Sequence, residues 1–196
     1  MNPLSLTLAF TIISATLAAQ DGPRATSSLT FKDGTSLAIA YNQLDLAQGR
    51  TLKMLTSKTA EGKMYRNIFN AGGFKSAVKG QLTVQGNIEL EHLPLRAGTC
   101  KLSFKIDEKL TWHMILEDDD DKEIASIALH VEKQDRAISS RLNIQAIADP
   151  GKDPGGFLLV RFGDLSAKIS FKASTSPAKE EKRSSTTTSK PPRAAV

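Results

Sequence analysis

Residues 100–116 read CKLSFKIDEKLTWHMIL, and this stretch decides the fold. From position 100 to position 106 apolar and polar residues alternate, which is typical of a strand with one buried face. The TWHMIL segment, residues 111–116, is apolar at successive positions. Such a segment indicates an interior strand that is covered on both sides. The stretch therefore predicts two strands of an all-β domain.

Two turn sequences extend this interpretation outward. Asp33-Gly34 separates two alternating segments and favours a hairpin whose two central residues both have positive φ. Near the other end, Gly163-Asp164 separates two further alternating segments and predicts a hairpin turn with glycine in first place. Both turns support an antiparallel arrangement.

The whole pattern predicts about nine or ten short strands, with turn residues between them at regular intervals. That spacing favours a β-sandwich, with a partly open barrel as the alternative. One or two short helical segments are expected, over residues 47–57 and residues 63–70. The surrounding segment, residues 42–79, is the least regular part of the pattern.

Composition limits the possible functions. The chain has 196 residues and one cysteine, which excludes an intrachain disulfide framework and a cysteine-rich zinc finger. Its formal net charge is +5, but residues 173–196 contribute five Lys or Arg against two Glu. The remaining surface is nearly neutral, so no nucleic-acid partner is expected.

The two ends predict a three-part organisation. Residues 4–19 are uncharged and largely apolar, which suits a signal peptide over residues 1–19, cleaved to leave no transmembrane segment. Residues 173–196 are rich in Ser, Thr, Pro and Lys and are expected to form a disordered tail. The β-sandwich domain would span residues 20–172 of a protein exported to the periplasm or the extracellular space.

The irregular segment is the predicted ligand site, because excursions from an all-β domain often carry function. Its candidate contacts are Arg50, Tyr65, Arg66 and Asn70. Arginine with aromatic and amide neighbours suits recognition of carboxylates or sugars. The alternative is structural, with Tyr65 covering the core and Arg66 in a salt bridge.

Two further sets of residues could carry chemistry. His113, within the apolar strand, is either another ligand contact or a core histidine with a satisfied hydrogen bond. Residues 117–121 are consecutive carboxylates, whose repulsion a calcium ion would relieve, with Asp118 and Asp120 as candidate ligands. The spacing is not that of an EF-hand, so a solvated hairpin tip is the alternative. No other cofactor is expected.

Catalysis has little support in the sequence. Cys100 should point inward, where a thiol is unreactive. A nucleophile elbow, a zinc-protease helix and a phosphate loop are all absent from the 196 residues. A hydrolase that combines His113 with an aspartate of residues 118–121 remains an alternative, as does a calcium-stabilised module.

Several short motifs resemble a bacterial family. Residues 95–102, LRAGTCKL, and the following WHMIL resemble the core of the exported proteins grouped as domain of unknown function 2911. Gly49-Arg50 and Tyr65-Arg66 lie where that family has a Gly-Arg and a Trp-Arg, and Cys100 replaces its usual Tyr. The resemblance extends over residues 29–171 and implies export and a β-rich fold, but no established activity.

The sequence thus predicts an exported β-sandwich with a non-catalytic binding role or a structural role in the envelope. A small molecule, a glycan or an envelope protein would be its partner.

Overall fold

The computed structural model describes residues 23–45, 51–136, 139–151 and 154–174. Within these ranges the chain forms two antiparallel sheets, which confirms the sandwich and not the barrel. The predicted leader, Arg50 and most of the predicted tail lie outside the described residues. Ala173 ends the last strand and pairs with Ile88. Among the described helices, none is both long and apolar enough to cross a membrane.

Each sheet has six strands in its described part when one short side pairing is included. The first sheet, in spatial order, consists of β1 (Arg24–Thr30), β2 (Ser36–Asn42), β3 (Gly80–Gln85), β6 (Gly98–Ile106), β7 (Trp112–Glu117) and β8 (Glu123–Leu129). The second consists of β10 (Ser139–Ala148), β11 (Gly155–Gly163), β12 (Leu165–Ala173), β4 (Ile88–Leu90) and β5 (Leu93–Leu95), while β9 (Val131–Lys133) pairs with β12. The strands beyond the ten that the pattern predicts, β5 and β9, have three residues each.

The two predicted hairpins are present, and one turn differs in detail. Gly163 has φ 62° in the two-residue turn between β11 and β12, as expected. In the β1–β2 turn only Gly34 has positive φ, so the expectation for Asp33 was wrong. The Asp33 carboxylate instead accepts a hydrogen bond from the Thr35 N–H at 2.9 Å. The loop is one residue longer than the two-residue turn that Asp-Gly favours, which leaves Asp33 in an ordinary conformation.

The core lies between the sheets and includes an aromatic cluster, in which neighbouring rings meet mainly edge to face. Its members are Phe69, Phe74, Phe104, Trp112 and Phe162. The strand β7 supplies Trp112, Met114 and Leu116 to this core. Ile115, on its opposite face, is also buried, although His113 on that same face is only half-buried.

The irregular segment is helical in its described part and joins β2 to β3, the second and third strands of the first sheet. It comprises α1 (Thr51–Leu55), α2 (Ala60–Ile68), a π-helical turn (Phe69–Gly73) and α3 (Phe74–Val78). The first predicted helix therefore starts at residue 51 in the described chain, and the second starts three residues before its predicted position. Thr59 explains the earlier start, because its hydroxyl caps α2 by accepting the Gly62 N–H at 3.1 Å.

Candidate functional site

An open groove lies between α2 and the turn that joins β6 to β7, and its volume is about 650 Å³. The helical side contributes Lys58, Lys63, Arg66, Asn67 and Asn70, and the turn contributes residues 107–110. Two of the predicted ligand contacts, Arg66 and Asn70, are therefore brought together here. A second cavity, of about 680 Å³ and lined by residues of α1, β9 and the β11–β12 turn, has no buried charged residue among its described residues.

Arg66 is the most unusual residue of the groove, because it is a cation with only 7% of its surface exposed. Its Nη1 donates hydrogen bonds to the carbonyl oxygens of Leu55 and Ser57, at the end of α1 and just beyond it. Within the described chain it forms no ion pair with a carboxylate. The predicted structural salt bridge is therefore not seen, and carbonyl oxygens alone stabilise the buried charge.

Gly62 makes this arrangement possible. A Cβ at this position would lie 2.6 Å from the Ser57 carbonyl oxygen and 2.8 Å from that of Met54. Any side chain here would push the end of α1 away from α2. The close approach allowed by Gly62 holds the carbonyl of Ser57 within reach of Arg66, one helical turn further along.

Asn70 replaces the missing β3 partner of the last residues of β6 in the first sheet. The strand β3 begins at Gly80, opposite Leu102, so the last residues of β6 have no partner in β3. The Asn70 amide takes that place, since Nδ2 donates to the Ile106 carbonyl at 2.8 Å and Oδ1 accepts the Ile106 N–H at 2.9 Å. The side chain therefore satisfies backbone groups that would otherwise lack partners, and it fixes the floor of the groove.

The rim opposite α2 is a tight turn at residues 107–111. One carboxylate oxygen of Asp107 accepts the Thr111 N–H at 2.8 Å, and the other lies 3.5 Å from His113 Nε2. The hydrogen bond from Thr111 is the main cause of a lowered pKa at Asp107, and His113 adds to it. Asp107 is therefore ionised at neutral pH, and its carboxylate is hydrogen-bonded within the turn.

The groove carries an excess of positive charge. Lys58, Lys63, Lys109 and Arg66 stand against the carboxylates of Asp107 and Glu108. Lys63 and Glu108 form an exposed ion pair across the groove at 3.4 Å. Four cations against two carboxylates leave the lining with a formal excess of two positive charges.

The other predicted ligand contacts lie outside this groove. Tyr65 is half-buried on another face of α2 and is not part of the lining, and Arg50 falls outside the described residues. His113 lies on the outward face of β7, so the core position was wrong, and it reaches the groove only through Asp107. Its Nδ1 is 3.4 Å from Ser126 Oγ. Both contacts are longer than the roughly 2.6–3.2 Å of a nucleophile–base pair in a reacting complex.

The acidic run forms the hairpin tip at the opposite end of β7. The carboxylate of Asp118 accepts the N–H groups of Asp120 and Lys122, while Asp121 pairs with Lys75 at 2.8 Å and Lys101 at 2.6 Å. Across the described ranges, no three His, Cys, Asp or Glu side chains come together as a metal site would require. The Asp118 carboxylate thus contacts the backbone of Asp120, and His113 lies at the far end of the strand from both residues.

Cys100 is half-buried beside the Leu82 carbonyl oxygen, with its sulfur at 3.7 Å. Burial raises the pKa of its thiol to about 11, so the nucleophilic thiolate is scarce at neutral pH.

Sequence reasoning missed the rest of the lining, which comprises Lys58, Thr59, Ala60, Lys63, Asn67 and residues 106–110. Residues 107–110, with the sequence DEKL, indicate only a polar turn between two strands. Lys63 and Asn67 are four residues apart, so a helix places them on one face, and that spacing was the one available signal.

Comparison with known proteins found no matching family model, no matching curated protein and no matching solved structure. The family resemblance therefore stays a prediction.

Proposed function

We propose that the protein is an exported, non-catalytic binding domain and that the groove between α2 and the β6–β7 turn is its ligand site. The observation that carries this proposal is the buried guanidinium of Arg66 within the groove lining. A buried cation is costly to maintain, and a few polar groups that converge on a concave surface are typical of binding sites.

The dimensions of the groove support a small ligand. A volume of about 650 Å³ lies within the range of small-molecule sites, which is roughly 300–1,000 Å³. The floor is held by the Asn70–Ile106 hydrogen bonds and one wall by the contacts of Arg66 with α1. Such a site is preformed, so binding would require little ordering of the protein.

A ligand survey by two-dimensional NMR tests the proposal. The purified full chain would be titrated with a neutral sugar, an amino acid, succinate and inorganic phosphate. We expect at least one of these to shift signals of α2 and residues 107–110 in a saturable way. The proposal fails if every saturable shift maps elsewhere, or if none of the four compounds binds.

Two matched variants on α2 sharpen the test. Asn67 is exposed and lines the groove, whereas Met64 is 53% exposed on the same helix and does not. Asn67→Trp should fill the groove and abolish the interaction. Met64→Trp adds the same bulk outside the groove and should leave it unchanged.

A further inference from the structure

We propose that the ligand carries a carboxylate or phosphate group, and that the free edge of the Arg66 guanidinium binds two of its oxygens. This inference rests on the proposed function, because it names the ligand class of the same groove.

Only one of the three guanidinium nitrogens of Arg66 donates hydrogen bonds within the described chain. Both hydrogen bonds that its side chain makes come from Nη1, which leaves Nε and Nη2 without a partner in the described chain. Neither nitrogen is fully enclosed by protein, and the Arg66 side chain lines the groove. They therefore open onto the cavity.

The free donors have the geometry of an oxyanion receptor. The N–H of Nε and one N–H of Nη2 lie parallel on the same edge of the planar group, which matches the two oxygens of a carboxylate or phosphate. The contacts of Nη1 with Leu55 and Ser57 fix the plane, so this edge is oriented before a ligand arrives. A neutral sugar hydroxyl would leave the charge uncompensated.

The surrounding charges favour the same ligand class. Lys63 and Lys109 lie on the two sides of the groove, and Lys58 directly precedes Thr59, the N-cap of α2. With Arg66 these lysines outnumber the two carboxylates of the lining, of which Glu108 pairs with Lys63 and Asp107 accepts the Thr111 N–H. An arriving anion would therefore meet a net positive potential and a buried cation that lacks a counter-charge.

Calorimetric titration of the full chain with inorganic phosphate and with acetate tests the inference. Arg66→Lys keeps the charge, and its ammonium group can still donate to the two carbonyls, but it lacks the parallel donors. We expect Arg66→Lys to weaken phosphate binding by about tenfold or more, the loss of one charge-assisted hydrogen bond. Lys63→Gln should weaken it by a smaller factor, about twofold to fivefold, because Lys63 is exposed.

Lys53→Gln is the matched control for the lysine variant. Lys53 is also exposed but lies on α1 outside the groove, so its loss should leave binding unchanged. If Arg66→Lys does not fold, the side-chain Nε–H NMR signal of Arg66 in the unaltered chain provides the readout instead.

Three outcomes separate the two proposals. Phosphate or acetate binding that Arg66→Lys leaves unchanged would overturn the role of Arg66. Binding of a neutral sugar in the groove, with no binding of either anion, would overturn the ligand class and leave the binding function standing. Absence of any ligand from the groove would overturn both.

Discussion

The two hairpin turns at opposite ends of β7 have the same backbone conformation but different surroundings. In residues 107–111 and in residues 118–122, the first N–H donates to the fifth carbonyl, and the fourth N–H donates to the first carbonyl. The fourth residue is left-handed in both turns, with φ 67° at Leu110 and φ 62° at Asp121. The turn at residues 107–111 forms the rim of the groove, whereas the turn at residues 118–122 is held by ion pairs with two lysines.

The difference lies in what stabilises each left-handed residue. A leucine in this conformation costs about 1–2 kcal/mol, whereas aspartate is tolerated better. The side chain of Leu110 packs against the core and lines the groove, which offsets the strain. Asp121 instead makes ion pairs with Lys75 and Lys101. The strained residue is thus found at the candidate site and the tolerated one at the solvated tip.

We expect the largest effect from placing a leucine at the equivalent position of a third turn, where no packing contact would offset the backbone strain. Residues 31–35 form the same turn, with Gly34 in fourth place at φ 85°, and a Cβ added to Gly34 would have no atom within 4 Å. Gly34→Leu should lower the free energy of unfolding by about 1–2 kcal/mol, measured by urea denaturation. Gly34→Asn is the control and should cost less, because asparagine tolerates this conformation. If the two variants were equal to the unaltered chain, the strain assigned to Leu110 would be absent.

A smaller effect is expected from the acidic tip, because its ion pairs lie at the surface. Lys101 and then Lys75 lower the pKa of Asp121 to about 2. The pairs therefore stabilise the fold above pH 4, and this contribution is lost as the pH falls from about 4 to about 2. Asp121→Asn keeps the left-handed turn and should flatten the dependence of thermal stability on pH within that window.

The neighbouring carboxylate gives the matched comparison. Asp120→Asn removes an exposed charge from the same turn, at a residue whose backbone N–H, and not its side chain, contacts Asp118. It should leave the acid dependence of stability in place. An equal flattening by both variants would show that the total charge of the tip matters and that the individual pairs do not.

Much of the fold could be predicted because alternation reports on burial directly. Leu102, Phe104 and Ile106 of β6 are buried as their alternation predicts, although Ser103 between them is buried as well. Gly163-Asp164 forms the expected turn. The three-residue strands β5 and β9 were missed because period two cannot be recognised over so short a length. The β1–β2 turn was assigned the wrong type because Asp-Gly occurs in more than one kind of loop.

The candidate site could be predicted only in part. Arg66 and Asn70 are separated by four residues on a helical segment, so local spacing places them together. Their partners are distant in sequence, as with Ile106, which lies 36 residues after Asn70. Residues 107–110, DEKL, indicate no more than a polar turn, and the groove exists only because α2 lies beside this turn.

The most direct test of the anion site is the side-chain Nε–H signal of Arg66 in a ¹⁵N NMR spectrum, followed during titration with inorganic phosphate. We predict a saturable shift of this signal with the same affinity that calorimetry gives. Arg24, exposed and bonded through Nη2 to Gln81, provides the comparison and should shift little. An Arg66 signal that stays unchanged, or that moves only as Arg24 does, would contradict the assignment of Arg66 as the anion receptor.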